Sequence, residues 1–461
     1  MRTNRRFGVP LLLVVIAGLS TGWHLSSGVG YVLDDWFAVG HATFDGAWSA
    51  AGAEQWRARP GAGVIYGVVF GLLRGHPAVV VALLGAISAS TAVAFWFLLR
   101  RFVPERLATI AAVMWLLLPN HVSMEVWISA ANIAASVLLA VVGALVMLTP
   151  TARNRVIAAG LFLAATLSYE AVLPVIAVAT VTLPWLERRR LDLRLIGVVA
   201  VGQAAAVAWI LLNWHPAKHI EKWADLSQVP AAHFGWGVLP AGPVASVGLL
   251  AGLVGACVVG GRLLTRRDEC GAAEWCVPVG FVVVVLGVLP FVRYFYAPLG
   301  AGDRFNAVSA LGGALMWAGV IDLLWSKRRE VGATALVLLL GFGLVARLDR
   351  VELWSTAAKD ARAIQRVARA QVPEPTGVVV VGPEVVQIDN VAAFLDPSNI
   401  EPALRIAYGD EGIRARMAFR EEDLTSADPG NIVDASAVIA LDDVCNPLLR
   451  AIGGCAGRPG H

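Results

Sequence analysis

Two adjacent carboxylates, Asp34 and Asp35, end the first long apolar stretch of the sequence. Neighbouring carboxylates at a membrane boundary repel each other, and loss of water raises the pKa of one of them. Such a group suits a general base that takes a proton from an alcohol near neutral pH. The alternative is an acidic helix end that simply faces water. We take this pair as the first candidate for a catalytic site.

Basic residues follow on the same side of the first apolar stretch. Arg57 and Arg59 lead into a short apolar segment at 61–73, and Arg304 follows Asp303 much later in the chain. A guanidinium near the lipid headgroups can bind a phosphate through two parallel hydrogen bonds. Ordinary anchoring at the interface is the alternative for the first two arginines. An internal salt bridge to its neighbour is the alternative for Arg304.

Three further polar residues lie among apolar runs. His121 and Glu125 are four residues apart, so on a helix they share a face that could bind substrate, orient a base or ligate a cation. The alternative is a polar helix start that neighbouring loops satisfy. Glu170 lies between two apolar runs, where an unpaired charge is costly, so it needs either an arginine partner or a substrate. Asp35 and Glu125 are the candidate ligands if a divalent cation takes part.

The composition is that of a membrane protein. Of the 461 residues, 57% are hydrophobic and 15% are charged. Soluble domains have about 25% charged residues, so a soluble enzyme, a disordered chain and a nucleic-acid binder are excluded. The net charge of +3 says nothing about partners, because its meaning depends on where the charges lie.

Apolar runs predict about eleven membrane-spanning helices, which makes an all-α polytopic membrane domain. The amphipathic segment at 61–73 is too short to cross, and we place it at the interface, with a twelfth span as the alternative. The pair at 155–168 and 171–186 could also form one merged span. The predicted spans lie at 9–32, 77–99, 106–119, 130–148, 155–168, 171–186, 195–213, 241–261, 275–292, 306–325 and 331–346.

The arginines and lysines indicate the orientation. With a cytoplasmic N-terminus, about 18 basic residues fall on the cytoplasmic side and about 7 on the other, which fits the positive-inside rule. The sequence therefore predicts a multi-pass protein of the cytoplasmic (inner) membrane, with its candidate site residues on the outer face.

The last quarter of the chain is more polar than the rest. We expect a membrane domain at 1–347 and a small extracytoplasmic α/β domain at 348–461. An amphipathic helix pattern at 354–370 and strand-like runs at 378–381 and 438–441 support the second domain.

Two cysteines, Cys445 and Cys455, lie close together in this C-terminal domain. An oxidising compartment favours a disulfide between them. The other three cysteines have no spacing that indicates a metal site, and we interpret them as packing residues.

The order of these motifs resembles the GT-C superfamily of integral-membrane glycosyltransferases, which use polyprenyl-phosphate-linked sugars. In the protein O-mannosyltransferase and aminoarabinose-transferase branches, an acidic pair closes the first span, as Asp34 and Asp35 do here. A basic residue and a proline then open a short interfacial helix, here Arg59 and Pro60. The next span ends in basic residues, here at 100–101.

Two later segments extend the resemblance. The run from Pro119 to Ser129 is similar to the Pro-x-His-x-Glu-x-x-x-Trp-Ile segment of O-mannosyltransferases that carry tetratricopeptide repeats, with a longer spacing from His121 to Glu125. The tripeptide at 168–170 is similar to their Ser-Lys-Glu, with tyrosine in place of lysine. The resemblance covers about the first 175 residues and is only topological from there to Arg347.

The resemblance implies an inverting sugar transfer in one displacement. Asp34 takes the proton of the acceptor hydroxyl, Asp35 orients the acceptor or a cation, and Arg59 with Arg304 neutralises the leaving phosphate. The expected partners are a polyprenyl-phosphate-linked sugar, a glycan, lipid or protein acceptor, and membrane lipids, without nucleic acid. Members of the superfamily differ in their use of a divalent cation such as Mg or Mn, so the cofactor stays open.

Three other functions fit parts of the pattern. A lipid-linked glycan ligase or polymerase shares the topology and a basic outer face, but its chemistry leans on arginine and histidine. A transporter or flippase would place charge at the middle of the bilayer and often shows internal repeats, and the sequence has neither. A non-enzymatic scaffold would use the C-terminal domain to bind a partner.

Overall fold

The structure is a computed structural model of the chain. It describes residues 8–52, 57–188, 190–213, 271–291, 300–382, 391–394, 397–418 and 421–439. The predicted span at 241–261 and the predicted disulfide between Cys445 and Cys455 lie outside the described residues, so both stay predictions.

Helices make up most of the described chain. The longer ones before the C-terminal sheet are α1 (Gly8–Ser27), α2 (Asp35–Phe44), α3 (Pro60–Tyr66), α4 (Pro77–Leu99), α5 (Glu105–Leu117), α6 (Ala131–Met147), α7 (Ala152–Ser168), α8 (Leu173–Arg188), α9 (Leu193–Asn213), α10 (Ala272–Val288), α11 (Ser309–Lys327) and α12 (Arg329–Gln371). Short helical turns lie at Ser49–Gly52, Gly67–Leu72, Pro119–His121, Ser123–Val126, Ile128–Ala130, Glu170–Val172, Leu289–Phe291 and Gly300–Asn306.

Eight helices among the described residues are long and apolar enough to cross a membrane. They are Gly8–Ser27, Pro77–Leu99, Ile128–Met147, Glu170–Arg188, Leu193–Asn213, Ala272–Phe291, Ser309–Lys327 and Arg329–Gln371. The predicted runs at 106–119 and 155–168 form α5 and α7, of 13 and 17 residues. Both are shorter than the roughly 20 residues of a typical span. The segment predicted at the interface belongs to a short apolar helix, Pro60–Leu72.

The first span is shorter than the sequence predicts. The apolar run predicts a span from residue 9 to residue 32, but α1 ends at Ser27. Gly28 follows with a φ of 112°. A glycine with positive φ commonly ends a helix, because it lacks the Cβ that makes this conformation costly. The chain therefore turns before it reaches the acidic pair.

Helix α12 is continuous across the predicted domain boundary at 347/348. It has 43 residues, which gives a length of about 65 Å, twice the roughly 30 Å of a bilayer core. The predicted last span at 331–346 and the predicted amphipathic helix at 354–370 are thus one helix. No glycine or proline lies between Arg347 and Gln371 to interrupt it.

The C-terminal domain contains a parallel sheet of three strands in the order β2-β1-β3. The strands are β1 (Val378–Gly382), β2 (Arg414–Met417) and β3 (Ile432–Asp434), and helix α13 (Pro397–Tyr408) lies between the first two in sequence. A further short helix lies at Glu421–Thr425. The strand predicted at 378–381 is confirmed. So is the fold class: a polytopic helical domain followed by a small α/β domain.

The second predicted strand, at 438–441, is wrong where the structure describes it. Val438 ends a 3-10 turn, Ser436–Val438, and the third strand lies earlier, at Ile432–Asp434. The Asp434 carboxylate accepts hydrogen bonds from the backbone nitrogen and hydroxyl of Ser436, at 3.0 and 2.6 Å. These bonds turn the chain out of the sheet before it reaches the apolar run that suggested a strand.

Candidate functional site

The acidic pair lies in a tight turn between α1 and α2, which we call the acidic turn (residues 32–35). Leu33 has a φ of 50°, in the left-handed region that leucine rarely adopts. Helix α2 begins at Asp35, and the two successive carboxylates face different surroundings: Asp34 is exposed and Asp35 is fully buried. The turn therefore gives one carboxylate that solvent reaches and one that it does not.

Asp35 is held by three hydrogen bonds. One oxygen, Oδ1, accepts from the backbone nitrogen of Ser129 at 2.8 Å and from its hydroxyl at 2.6 Å. The other, Oδ2, accepts from the backbone nitrogen of Val32 at 3.1 Å. Burial raises the pKa of Asp35, the hydrogen bonds from Ser129 and Val32 oppose this rise, and the charge of Asp34 adds to it. The sequence predicts such an effect for one member of the pair, and the structure assigns it to Asp35.

A second link joins Ser129 to α3. The Tyr66 hydroxyl donates to the backbone oxygen of Ser129 at 2.5 Å and lies 3.3 Å from the Asn132 side-chain oxygen. Tyr66, Ser129 and Asp35 thus form a chain of contacts from the short apolar helix to the acidic turn. Sequence analysis missed Tyr66 and Ser129, because tyrosine and serine at these positions match no catalytic spacing.

Tyr66 is a buried residue on which the charges of four predicted site residues act. Burial raises the pKa of its phenol, and the charges of Arg304, Asp34, Arg59 and Asp35 also act on it. These residues come from the acidic turn, the start of α3 and the turn at 300–306, which are far apart in sequence. The fold therefore brings these carboxylates and guanidiniums within electrostatic range of one buried hydroxyl.

Arg59 forms a two-point ion pair with Glu170. Its Nε donates to Oε2 at 2.7 Å, and a second hydrogen bond joins Nη2 to Oε1. The guanidinium also lies 5.6 Å from the centre of the Tyr169 ring. A Cβ on Gly61 would lie only 2.5 Å from the Ser168 hydroxyl, so the start of α3 packs closely on the end of α7. The sequence suggests either an arginine or a substrate as the partner of Glu170, and in the structure the partner is Arg59.

The other two predicted arginines differ in their surroundings. Arg57 is exposed, and its backbone oxygen accepts a hydrogen bond from Trp209 at 3.2 Å. Arg304 is half-buried, with its guanidinium carbon 4.7 Å from the centre of the Trp127 ring and 5.0 Å from that of Phe305. Contact with aromatic rings holds a guanidinium without using its N–H groups, which stay suited to an anion.

Asp303 fixes the turn that carries Arg304. It is fully buried, and its carboxylate accepts hydrogen bonds from the backbone nitrogen of Ser123, at 3.1 Å, and from the Ser123 hydroxyl. Burial raises the pKa of Asp303, while the bonds to Ser123 and the charges of Arg350 and Arg347 lower it. One alternative from the sequence was a salt bridge between Asp303 and Arg304. The hydrogen bonds of Asp303 go to Ser123 instead.

His121 and Glu125 lie in two successive short helices and have different partners. The His121 ring is buried and stacks on Trp115, with ring centres 5.0 Å apart. Glu125 is 5% exposed and forms a buried ion pair with Arg347 of α12, which is 1% exposed. Their surroundings are those of the alternative interpretation, a polar helix start satisfied by neighbouring segments.

The two carboxylates predicted as possible cation ligands, Asp35 and Glu125, both have partners within the protein. Both oxygens of Asp35 accept hydrogen bonds from the protein, and Glu125 pairs with Arg347. Within the described ranges, no three His, Cys, Asp or Glu side chains are close enough to share an ion.

Solved structures similar to this chain include oligosaccharyltransferases from the archaeon Archaeoglobus fulgidus. One, in complex with an inhibitory peptide and a dolichol-phosphate, is 12% identical with a TM-score of 0.44, over 88% of this chain and 64% of that chain. Another, in complex with Zn and sulfate, is 14% identical with a TM-score of 0.44, over 88% and 62% of the two chains. This chain thus spans less than two thirds of their length. No family model and no curated protein matches the sequence.

Proposed function

We propose that the protein is an inverting glycosyltransferase that moves a sugar from a polyprenyl-phosphate donor to an acceptor hydroxyl at the outer face of the cytoplasmic membrane. The observation that carries the proposal is that an exposed carboxylate, Asp34, and two guanidiniums, Arg59 and Arg304, lie within electrostatic range of one buried residue, Tyr66. Transfer from a lipid phosphate needs a base at the acceptor and positive charge at the leaving group, and this arrangement supplies both.

Asp34 is the proposed base. As the acceptor oxygen bonds to the anomeric carbon, its proton passes to the Asp34 carboxylate. The bond between that carbon and the phosphate oxygen breaks, and polyprenyl phosphate leaves with the electron pair. Attack from the side opposite the phosphate inverts the configuration. A positioned base of this kind accelerates a reaction by a factor of about 10²–10⁴.

Asp35 has a different role in this proposal. Because it is buried and bonded to Ser129 and Val32, it holds the acidic turn and fixes where Asp34 lies. A carboxylate without exposed surface cannot reach a diffusing acceptor. We therefore assign proton transfer to Asp34 and positioning to Asp35.

Arg304 is the main proposed ligand of the leaving phosphate. Its described contacts are with the Trp127 and Phe305 rings, which suit a guanidinium that must also bind an anion. Arg59 already bonds both oxygens of Glu170, so a phosphate there would exchange with that carboxylate. Arg59 is thus the secondary ligand.

The lipid part of the donor has a suitable surface nearby. The short apolar helix Pro60–Leu72 carries Tyr66 on a buried position and has Val64 and Leu72 each 61% exposed. Exposed aliphatic side chains beside a charged site suit a substrate with a phosphate head and a hydrocarbon tail. The acceptor would approach from the aqueous side, where Asp34 is exposed.

The test uses purified protein in lipid nanodiscs with a panel of polyprenyl-phosphate sugars and of acceptor glycans, lipids and peptides. We expect transfer with inversion by the wild type and a loss of at least about 10²-fold in kcat for Asp34→Asn. Asn keeps the size of the side chain but cannot accept the proton. Asp45→Asn is the matched control, since Asp45 is an exposed carboxylate at the other end of α2. Full activity of Asp34→Asn, or no transfer from any donor, would overturn the proposal.

A further inference from the structure

We infer that the C-terminal domain is part of the catalytic site, with Ala393, Phe394 and Pro402 acting as positioning residues for Asp34. The inference rests on the proposed function and assigns a role to the domain that follows the membrane helices. The described residues of this domain contact the acidic turn and α2 at several points, and each contact constrains the backbone that carries the base.

The acidic turn has a backbone that its own sequence does not favour. Leu33 is the one non-glycine residue with positive φ among those that the structure describes, at 50°, and its side chain is 1% exposed. A leucine keeps this conformation only where the surrounding structure imposes it. Asp34 follows directly, so whatever fixes Leu33 also fixes the proposed base.

The segment 391–394 of the C-terminal domain supplies one such constraint. The backbone nitrogen of Leu33 donates a hydrogen bond to the backbone oxygen of Ala393 at 3.3 Å. The rings of Trp36 and Phe394, both buried, lie with centres 6.0 Å apart. The domain thus contacts the residue before Asp34 and the start of the helix after it.

Helices α2 and α13 supply a second constraint. Gly40 packs so closely on α13 that a Cβ built on it would lie 2.7 Å from the Cβ of Pro402. Before the acidic turn, Arg362 of α12 donates a hydrogen bond to the backbone oxygen of Val29. The chain from residue 29 to residue 40 is therefore held at both ends and in the middle by residues after 348.

Arg304 and Arg59 lie on other segments, the turn at 300–306 and the start of α3. The contacts of 391–394 and α13 described above are with residues 33–40, so a small displacement of these two segments should move the base more than the phosphate ligands. Misplacement of a catalytic group by about 1 Å can lower a rate by about 100-fold. The inference thus predicts a loss in kcat with unchanged affinity for the donor phosphate, which a general loss of folding would not give.

The test inserts one methyl group into the interface and then makes room for it. Gly40→Ala places a Cβ against Pro402, and Pro402→Gly removes the atoms with which it collides, leaving the Pro402 Cα at an ordinary 3.6 Å. The four proteins are wild type, both single variants and the double variant. Gly160→Ala is the control, since a Cβ at this glycine in α7 meets no atom within 4 Å.

Two readouts are measured on the full-length protein in nanodiscs. Amide hydrogen exchange of the peptide that contains Leu33 reports the bond to Ala393 and needs no activity. Sugar transfer gives kcat, and titration with polyprenyl phosphate gives the donor affinity. For Gly40→Ala we expect faster exchange, a kcat lower by about 10- to 100-fold, and unchanged phosphate affinity. Both changes should be reversed in the double variant and absent in Gly160→Ala.

Faster exchange with wild-type kcat in Gly40→Ala would overturn the positioning role. Unchanged exchange would overturn the contact itself, and a loss of phosphate affinity equal to the loss in kcat would point to general disruption and overturn the inference. If the wild type transfers no sugar from any donor, the proposed function fails, and the exchange measurement still decides whether the domain holds the turn.

Discussion

Ser129 donates two hydrogen bonds, from its backbone nitrogen and its hydroxyl, to a single carboxylate oxygen of Asp35. The two residues are 94 positions apart in the sequence. The bonds hold the short turn at 128–130 against the acidic turn, and Tyr66 contacts the same serine from α3. Ser129 is therefore the residue through which three segments of the candidate site are joined.

Replacement of Ser129 should weaken both stability and catalysis. Ser129→Ala keeps the backbone bond to Asp35 but removes the hydroxyl bond at 2.6 Å. A hydrogen bond to a charged group contributes about 1.5–3 kcal/mol, so we expect the free energy of unfolding to fall by about that amount. Thermal unfolding in nanodiscs measures it, together with kcat. Ser90→Ala is the control, since the hydroxyl of Ser90 only bonds the backbone of its own helix on an exposed face. Equal losses in the two variants would contradict a special role of Ser129.

The pH dependence of stability should change when Asp35 is neutralised. Burial raises the folded-state pKa of Asp35 above its unfolded value of about 3.9. The folded protein then binds the proton more tightly than the unfolded chain, so the stability that this proton provides is present at low pH. It is lost as the pH rises through the folded-state pKa.

The comparison is between wild type and Asp35→Asn, because other buried carboxylates such as Asp303 are common to both. We expect the melting temperature of Asp35→Asn, relative to that of the wild type, to increase as the pH rises from about 4 towards neutrality. A difference that stays constant over this range would show that Asp35 titrates normally. Sugar transfer should suffer less from Asp35→Asn than from Asp34→Asn, since the first residue positions and the second takes the proton.

Local patterns in the sequence predicted the elements but not their partners. The apolar runs located most helices, and the doublet of aspartates marked the acidic turn, because helix periodicity and turn chemistry are local properties. Which aspartate is buried depends on Ser129, a contact across 94 residues that one sequence does not reveal. The pairing of Glu125 with Arg347, across 222 residues, is of the same kind.

Replacement of Arg304 and replacement of Arg59 should have different effects on the affinity for the donor. Arg304→Gln should weaken the affinity for polyprenyl phosphate by about 10- to 100-fold, since a charge-assisted hydrogen bond contributes about 1.5–3 kcal/mol. Arg59→Gln should affect binding less, because its guanidinium already bonds Glu170, and should lower stability instead. Arg153→Gln, at an exposed arginine of α7, is the control. If Arg59→Gln weakens binding more than Arg304→Gln, the order of the two phosphate ligands is reversed.

The buried pair of Glu125 and Arg347 should matter for stability rather than for catalysis. Glu125→Gln leaves the Arg347 charge buried without its counter-ion, which costs about 3–5 kcal/mol in typical cases. The double variant Glu125→Leu, Arg347→Met should recover most of this loss, because an apolar pair of similar size avoids burying charge. A double-mutant cycle by thermal unfolding measures the coupling. A stable but inactive Glu125→Gln would instead make Glu125 a candidate base.

The orientation of the chain can be tested at the two ends of α12. The arginine and lysine distribution predicts that Ser326, at the end of α11, faces the cytoplasm and that the C-terminal domain lies outside. Ser326 and Glu411 are both exposed in the structure, and the apolar half of the 43-residue helix lies between them in sequence. A membrane-impermeant maleimide should therefore label Glu411→Cys in cells with an opened outer envelope. Ser326→Cys should react only after the membrane is permeabilised, and the unmodified protein gives the background from native cysteines. Labelling of both cysteines from the same side would contradict the topology. If Glu411→Cys reacts only after permeabilisation, the C-terminal domain, and with it the proposed base Asp34, lies on the wrong face for the proposed reaction.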